Sequence, residues 1–384
     1  MTAARRATLG SSIVPGAIGV AILVAVLLLP DLTPPDAIPQ IGQDAERARV
    51  LEVLGTDQTG ATVLRVEILD GIDAGVEVEA TVQDLSTALP GSARADAYEV
   101  GDEVVVTAFT GAAGGFAVVS EPWRVPLLGL LAALFAAAVV LVGGIRGIRS
   151  LVALALTLAV VVKIVVPLLI AGWDPVLLAV GVATAVTFAT LGITEGLNRV
   201  TLAACLGTLI ALALTATLAA TFNAAASFTA LQGNEEVSFL VQLIGDRANL
   251  QGILLAATVF GALGVLDDVT ITQAATVGEM HASDLTRPRR EVVSSAMRVG
   301  RSHIAATVNT LVLAYLGAGL PLFLLFALSG EGPLIVLNGE LLAVEVIRAL
   351  VGSIGIVAAV PLTTFVAGLL MVPARPRSPA QGSA

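Results

Sequence analysis

Gly252-Ile-Leu-Leu-Ala-Ala-Thr-Val-Phe-Gly-Ala-Leu-Gly-Val-Leu-Asp-Asp-Val-Thr-Ile-Thr-Gln-Ala-Ala275 decides the class of this chain and shows where its chemistry is to be sought. The stretch exceeds the ~20 apolar residues that carry a helix across a bilayer. Yet Asp267 and Asp268 stand side by side within it. An ionisable side chain at that depth costs about 2.5–3.5 kcal/mol on insertion scales, so each needs a reason. Neighbours on a helix point about 100° apart, and the two acids therefore cannot face each other as a dyad sharing one proton. Asp268, Thr272 and Thr276 share one helix face; Asp267 and Thr270 share another. A carboxylate–hydroxyl stripe turned towards other helices can hold a cation or relay a proton. The competing reading puts the same groups near the cytoplasmic end, bonded to neighbouring helices as packing polar groups. Gln273 ends the polar run.

The rest of the chain has the same character. Of its 384 residues 56% are hydrophobic and 13% charged, against about 25% charged in an ordinary soluble domain. Seven other apolar runs accompany the first: Ile13–Leu29, Val125–Val142, Leu151–Ala171, Pro175–Ile193, Thr201–Phe222, Ile304–Leu328 and Val346–Val372. The expected fold is therefore an α-helical polytopic membrane bundle of about eight spans, with the lipid bilayer as its first partner. The first run follows Arg5 and Arg6 and ends at Pro30-Asp31 without a small-residue cleavage site, which reads as a retained signal-anchor helix. Arginines cluster at Arg146, Arg149, Arg199, Arg287 to Arg301, Arg375 and Arg377, on the same side of every span as the N-terminus. Positively charged loops stay inside, so both termini are expected in the cytoplasm.

Between Asp31 and Trp123 stand 17 acidic residues and 4 arginines, a net −13 within a chain of net −10. Short β-branched runs at 50–54, 62–68, 76–82, 104–108 and 115–119 alternate there with Gly- and Asp-rich turns. They predict a small extracytoplasmic all-β domain, OB-like or SH3-like, inserted after the first helix. It is either a spacer with a solvated acidic face or a binding module for a ligand or an envelope protein. The expected organisation is a signal-anchor helix over 1–30, the β domain over 31–123, a seven-helix bundle over 124–373 and a disordered cytoplasmic tail over 374–384.

Asn309 and Thr310 lie one to two turns into the following span, so Asp268 and Asn309 are expected at similar depth. Arg301 and His303 sit at its edge, where snorkelling is the plain explanation. Lys163, inside an apolar run, calls for a carboxylate partner. Glu195 reads as a helix end, Glu345 and Arg348 as a local ion pair, and Asn234–Ile244 as an interfacial or re-entrant segment. A single cysteine, Cys205, and two histidines exclude disulfides and histidine-rich metal clusters. The acidic balance argues against nucleic acid. No Walker loop, H-E-x-x-H or G-x-S-x-G occurs, so no cofactor and no enzyme activity are expected.

The run Gly261 to Gln273, with its Asp268-Val269 pair, resembles the most distinctive element of the YibE/F family of multipass bacterial membrane proteins. Gly300-Arg301 followed by Asn309 to Tyr315 is similar to a second signature. Asn338 to Arg348, Gly352 to Gly355 and Pro361 to Thr364 resemble a third. The resemblance implies that Asp268, Arg301 and Asn309 belong to a shared polar centre, and it places the chain in a bacterial cytoplasmic membrane. Ser302 stands where the family pattern has Asp after Gly-Arg. The family brings no established reaction. The residues favour a permease-like protein for an ion or small solute, using Asp267, Asp268, Thr272, Gln273, Asn309, Thr310 and Arg301. The alternative is a non-catalytic envelope scaffold that binds a partner through residues 31–123.

Overall fold

The computed structural model describes residues 3–30, 32, 45–57, 61–71, 73–82, 98–109, 116–229 and 249–374. The segment Asn234–Ile244, the turns at 90–91 and 111–115, and the tail beyond Ala374 lie outside the described residues. The chain divides into two compact units, Pro39–Leu141 and Met1–Ile38 with Val142–Ala384.

In the smaller unit, strands β1 (Ala45–Thr56), β2 (Thr62–Ile68), β3 (Glu77–Val82), β4 (Glu103–Phe109) and β5 (Phe116–Pro122) close a barrel in the order β1-β2-β3-β5-β4. All five expected strands are present. The β3–β5 pair is parallel and the others are antiparallel. The period-2 alternation does the folding here. Along β2, Thr62, Leu64, Val66 and Ile68 are buried while Val63, Arg65 and Glu67 reach the surface. Ala48, Val50, Ala80, Val104, Val106, Ala117 and Val119 fill the rest of the interior. Outside, the few arginines stand among the many acids: Arg65 pairs with Glu52 at 2.8 Å and Arg49 with Glu103 at 3.3 Å. Arg47 lies 5.4 Å over the Trp123 ring.

The larger unit is helical. Helix α1 covers Ala3–Leu27, and α2 (Val125–Val160) enters this unit from Val142. Helix α2 runs through a π-helical turn at Val161–Val165 into α3 (Val166–Ile170). Then follow α4 (Pro175–Thr194), α5 (Arg199–Ala225), α6 (Leu250–Ser283), α7 (Arg289–Ala318), α8 (Leu320–Ser329), α9 (Pro333–Asn338) and α10 (Glu340–Met371). Polar side chains start three of them. Asp174 accepts from the amides of Val176 and Leu177, Asn198 from Val200 and Thr201, and Asn249 from Gly252. Each satisfies donors that the first helical turn leaves without partners.

Helix α6 is central, packing on α4, α5, α7 and α10. Its Val259 and Leu266 pack in the main core with Leu212 of α5 and Ile356 and Val360 of α10. Small residues let the backbones approach. A Cβ on Gly207 of α5 would lie 2.2 Å from the Thr363 hydroxyl of α10, and one on Gly355 of α10 would lie 2.1 Å from the Thr215 hydroxyl of α5.

Five helical stretches among the described residues are long and apolar enough to cross a bilayer, and a sixth if α7 and α8, bent by 62°, form one span. The count differs from the expected eight in two places. In α1 the described side chains begin at Val14, and the apolar stretch counted among them, Val14–Leu27, falls below the length taken for a crossing. The runs 125–142 and 151–171 join without a loop into one stretch of 46 residues, Val125–Ile170. Within it Gly144 alone leaves helical geometry (φ 56°, ψ −134°), a backbone state that a side chain would oppose.

Candidate functional site

Helix α4 carries threonines at 184, 187, 190 and 194, three or four residues apart on an otherwise apolar helix. Three of them return their hydroxyls to their own helix: Thr184 to the Val180 carbonyl, Thr190 to Val186 and Thr194 to Thr190. Such back-bonding satisfies a hydroxyl in an apolar setting. Thr187 does otherwise. It is 2% exposed and donates to both carboxylate oxygens of Asp267, at 3.0 and 3.2 Å. The hydroxyls of Thr208 and Thr270 lie 2.7 Å apart, and Thr270 reaches back to the Asp267 carbonyl at 3.1 Å. The Thr187–Asp267 bond joins α4 to α6 and the Thr208–Thr270 bond joins α5 to α6, both at the midpoint of α6.

Space surrounds the centre unevenly. A cleft of about 360 Å³ opens where α4 ends and α5 begins, between Phe188, Leu197 and Leu202 on one hand and Arg199 and Thr201 on the other, with Cys205 in its wall. Phe188 and Cys205 also line a crevice at Thr184, Thr187 and Thr208 that has no room for a water-sized sphere. Thr201, Cys205, Thr208 and Leu212 follow one face of α5, so this face runs from the cleft to the carboxylate.

The sequence-derived candidates separate into three places. Asp267 is in the centre. Gln273 is buried one face away, donating to the Ala296 carbonyl of α7 at 3.0 Å and to the Thr364 hydroxyl of α10 at 2.6 Å, where it ties three helices together. Asp268, Thr272, Arg301, Asn309 and Thr310 lie exposed on the outer surfaces of α6 and α7. The stripe of Asp268 and Thr272 therefore does not face the bundle. Rotation of α6 that buries Leu266, Val269 and Thr270 turns Asp267 inward and Asp268 outward. Asp268 and Asn309 form no hydrogen bond, and Thr310 bonds its own helix at Ala306. Lys163 has no ion pair among the described residues, so its expected carboxylate is not found. Glu345 and Arg348 do pair, at 2.8 Å, and Glu195 does cap the end of α4.

Sequence reasoning passed over Thr187, Thr208, Cys205 and Arg149. The threonine spacing on α4 was the available signal for the first. Arg149 is 8% exposed, and its guanidinium donates to the Thr194 carbonyl at 3.0 Å, filling one of the acceptors left open at the α4 C-terminus.

Apolar helices around an inward-turned acid held by a hydroxyl define a polytopic membrane protein with a polar centre. The YibE/F-like protein family matches residues 131–373, which include α4 to α10, and the chain belongs to that family. No curated protein matches the chain, and no solved structure does.

Proposed function

We propose that the protein is a permease-like transporter whose translocated ion or small solute engages Asp267. The observation that carries this reading is the Thr187–Asp267 hydrogen bond in the middle of a membrane-length helix. A carboxylate there is costly unless it serves a path, and intramembrane acids facing the bundle interior commonly mark one. The cleft beside Cys205 supplies an approach. We read the protein as a non-enzyme of a bacterial cytoplasmic membrane, with both termini in the cytoplasm. The barrel is then extracytoplasmic and OB-like, a reading supported by its closed five-strand order with β3 parallel to β5. The stretch Val125–Ile170 is read as two passes meeting at Gly144, which puts Arg146 and Arg149 on the cytoplasmic side.

The test is reconstitution of the whole chain in liposomes. Flux of protons, sodium or potassium is followed with ion-sensitive dyes, beside Asp267→Asn. The variant keeps an acceptor for Thr187, so it is expected to melt as the wild type does and to show no flux above empty liposomes. Wild-type flux through folded Asp267→Asn would reject the role of this residue.

A further inference from the structure

We propose that the outer face of α6 and α7 is the contact between two copies of this chain, with Asn309 at its centre against the partner's Asn309. The face is polar where the surroundings are hydrocarbon. Asp268 stands near the middle of α6, and it is exposed together with Thr272 of α6 and Arg301 and Asn309 of α7. Among the described residues Asp268 and Arg301 make no ion pair, and the Asn309 amide makes no hydrogen bond. Ionisable side chains inside a bilayer are costly and face protein or water, not lipid tails. Asparagines there hydrogen-bond across helices. A second protein surface over this face answers both requirements.

The face complements itself, which selects a second copy over an unrelated protein. Gly300 of α7 packs on the Gln273 side chain of α6, and the Tyr315 hydroxyl of α7 lies against Gly261 of α6. Asp268 therefore lies between Arg301 and Asn309 in depth, roughly one helical turn from each. Exposed Gly264, with open space where a Cβ would stand, is at the depth of Asn309, so a second helix can approach closely there. A primary amide both donates and accepts. Two copies of Asn309 related by a two-fold axis along the membrane normal meet at equal depth and satisfy each other, as a buried Asn does at a coiled-coil seam. The same axis brings the partner's Arg301, on a stem that can span a turn, towards Asp268.

The test uses the whole chain in liposomes. Energy transfer between wild-type copies labelled at the C-terminus is expected to exceed the level of random collision and to fall as lipid dilutes the protein. Ala306 and Leu313 are exposed on the same side of α7 as Asn309. Ala306→Cys and Leu313→Cys, each with Cys205→Ala to remove the single native thiol, are expected to give on mild oxidation a disulfide-linked product of two identical chains. Ile210→Cys, exposed on α5, is expected to give none. Asn309→Leu is expected to weaken dimerisation roughly tenfold, the effect of losing two hydrogen bonds between spanning helices. Its helical circular dichroism is expected to stay unchanged, because the amide bonds nothing in its own chain. Asn309→Gln keeps donor and acceptor and is expected to dimerise nearly as the wild type does.

Three results overturn the proposal. Wild-type energy transfer at the collision level shows a single chain and leaves the face to a different protein. Energy transfer that is as strong in Asn309→Leu as in wild type places the contact elsewhere. Ile210→Cys that crosslinks as readily as Ala306→Cys and Leu313→Cys, or no crosslink from either α7 position, removes α7 from the contact. None of these outcomes bears on transport at Asp267, which flux measures separately.

Discussion

The Thr187 hydroxyl donates to the Asp267 carboxylate at 3.0 Å, joining the fourth turn of α4 to the middle of α6 across 80 residues of sequence. Because other α4 threonines return their hydroxyls to their own helix, this bond carries the contact between a charged group and its scaffold. Its consequence is measurable. Thr187→Val keeps shape and removes the donor, and Asp267→Leu removes the acceptor and strands the Thr187 hydroxyl. A stranded buried polar group costs about 1–3 kcal/mol in proteins generally, and hydrogen bonds between spanning helices average nearer ~0.6 kcal/mol. Thermal melts in detergent are expected to show a loss in that range for both variants, because each leaves one member of the pair without its partner.

The contact of α5 with α10 depends on the absence of two side chains. Gly207 faces Thr363 and Gly355 faces Thr215 at distances no Cβ can occupy. Gly355→Val is expected to destabilise the folded protein by about 1–3 kcal/mol through overpacking. A paired Gly355→Ala and Thr215→Ala change is expected to recover part of the loss. A melting temperature equal to wild type in Gly355→Val would refute the close approach.

In the barrel, interior and surface are expected to respond differently. Leu64 is fully buried, and Leu64→Ala is expected to cost about 2–5 kcal/mol. Arg65, its neighbour, pairs on the surface with Glu52 at 2.8 Å, and Arg65→Ala is expected to cost at most ~1 kcal/mol. Urea unfolding of the whole protein in a Trp173→Phe background, followed by the near-ultraviolet signal of Trp123, distinguishes the two.

The turn between α6 and α7 carries a pH dependence. Asp284 accepts from the Thr286 hydroxyl and, at 2.9 Å, from the Thr286 amide, and these bonds hold its carboxyl below the usual carboxylate range. The folded state is thus favoured by ionised Asp284 above the ordinary aspartate pKa of about 3.9, and the gain is lost as pH falls through the depressed value. A difference in melting temperature between wild type and Asp284→Asn is expected at neutral pH and should vanish in stronger acid.

Much of the architecture was legible because it depends on local period. Alternation along 62–68 identified β2 with its boundaries, and uninterrupted apolarity over 175–193 identified α4. Glu345 and Arg348 could be paired from spacing alone. The break between the runs 125–142 and 151–171 was legible, but not its form: the sequence reads as a loop there, and the two helices meet at a single non-helical residue, Gly144. The polar centre was half legible. Asp267 was among the candidates, but its partner Thr187 comes from α4, 80 residues distant, and no local period connects the two.

By itself the sequence determined that this chain inserts spanning helices, closes a small acidic barrel and sets two carboxylates in an apolar helix. Transfer free energy and side-chain period act residue by residue, so these features can be read along the chain. Only the tertiary structure decided which carboxylate is the interior one. Asp267 and Asp268 differ by about 100° around α6, and the choice is made by packing: Leu266, Val269 and Thr270 are buried against neighbouring helices, and the same rotation delivers Asp267 to Thr187 and leaves Asp268 outside.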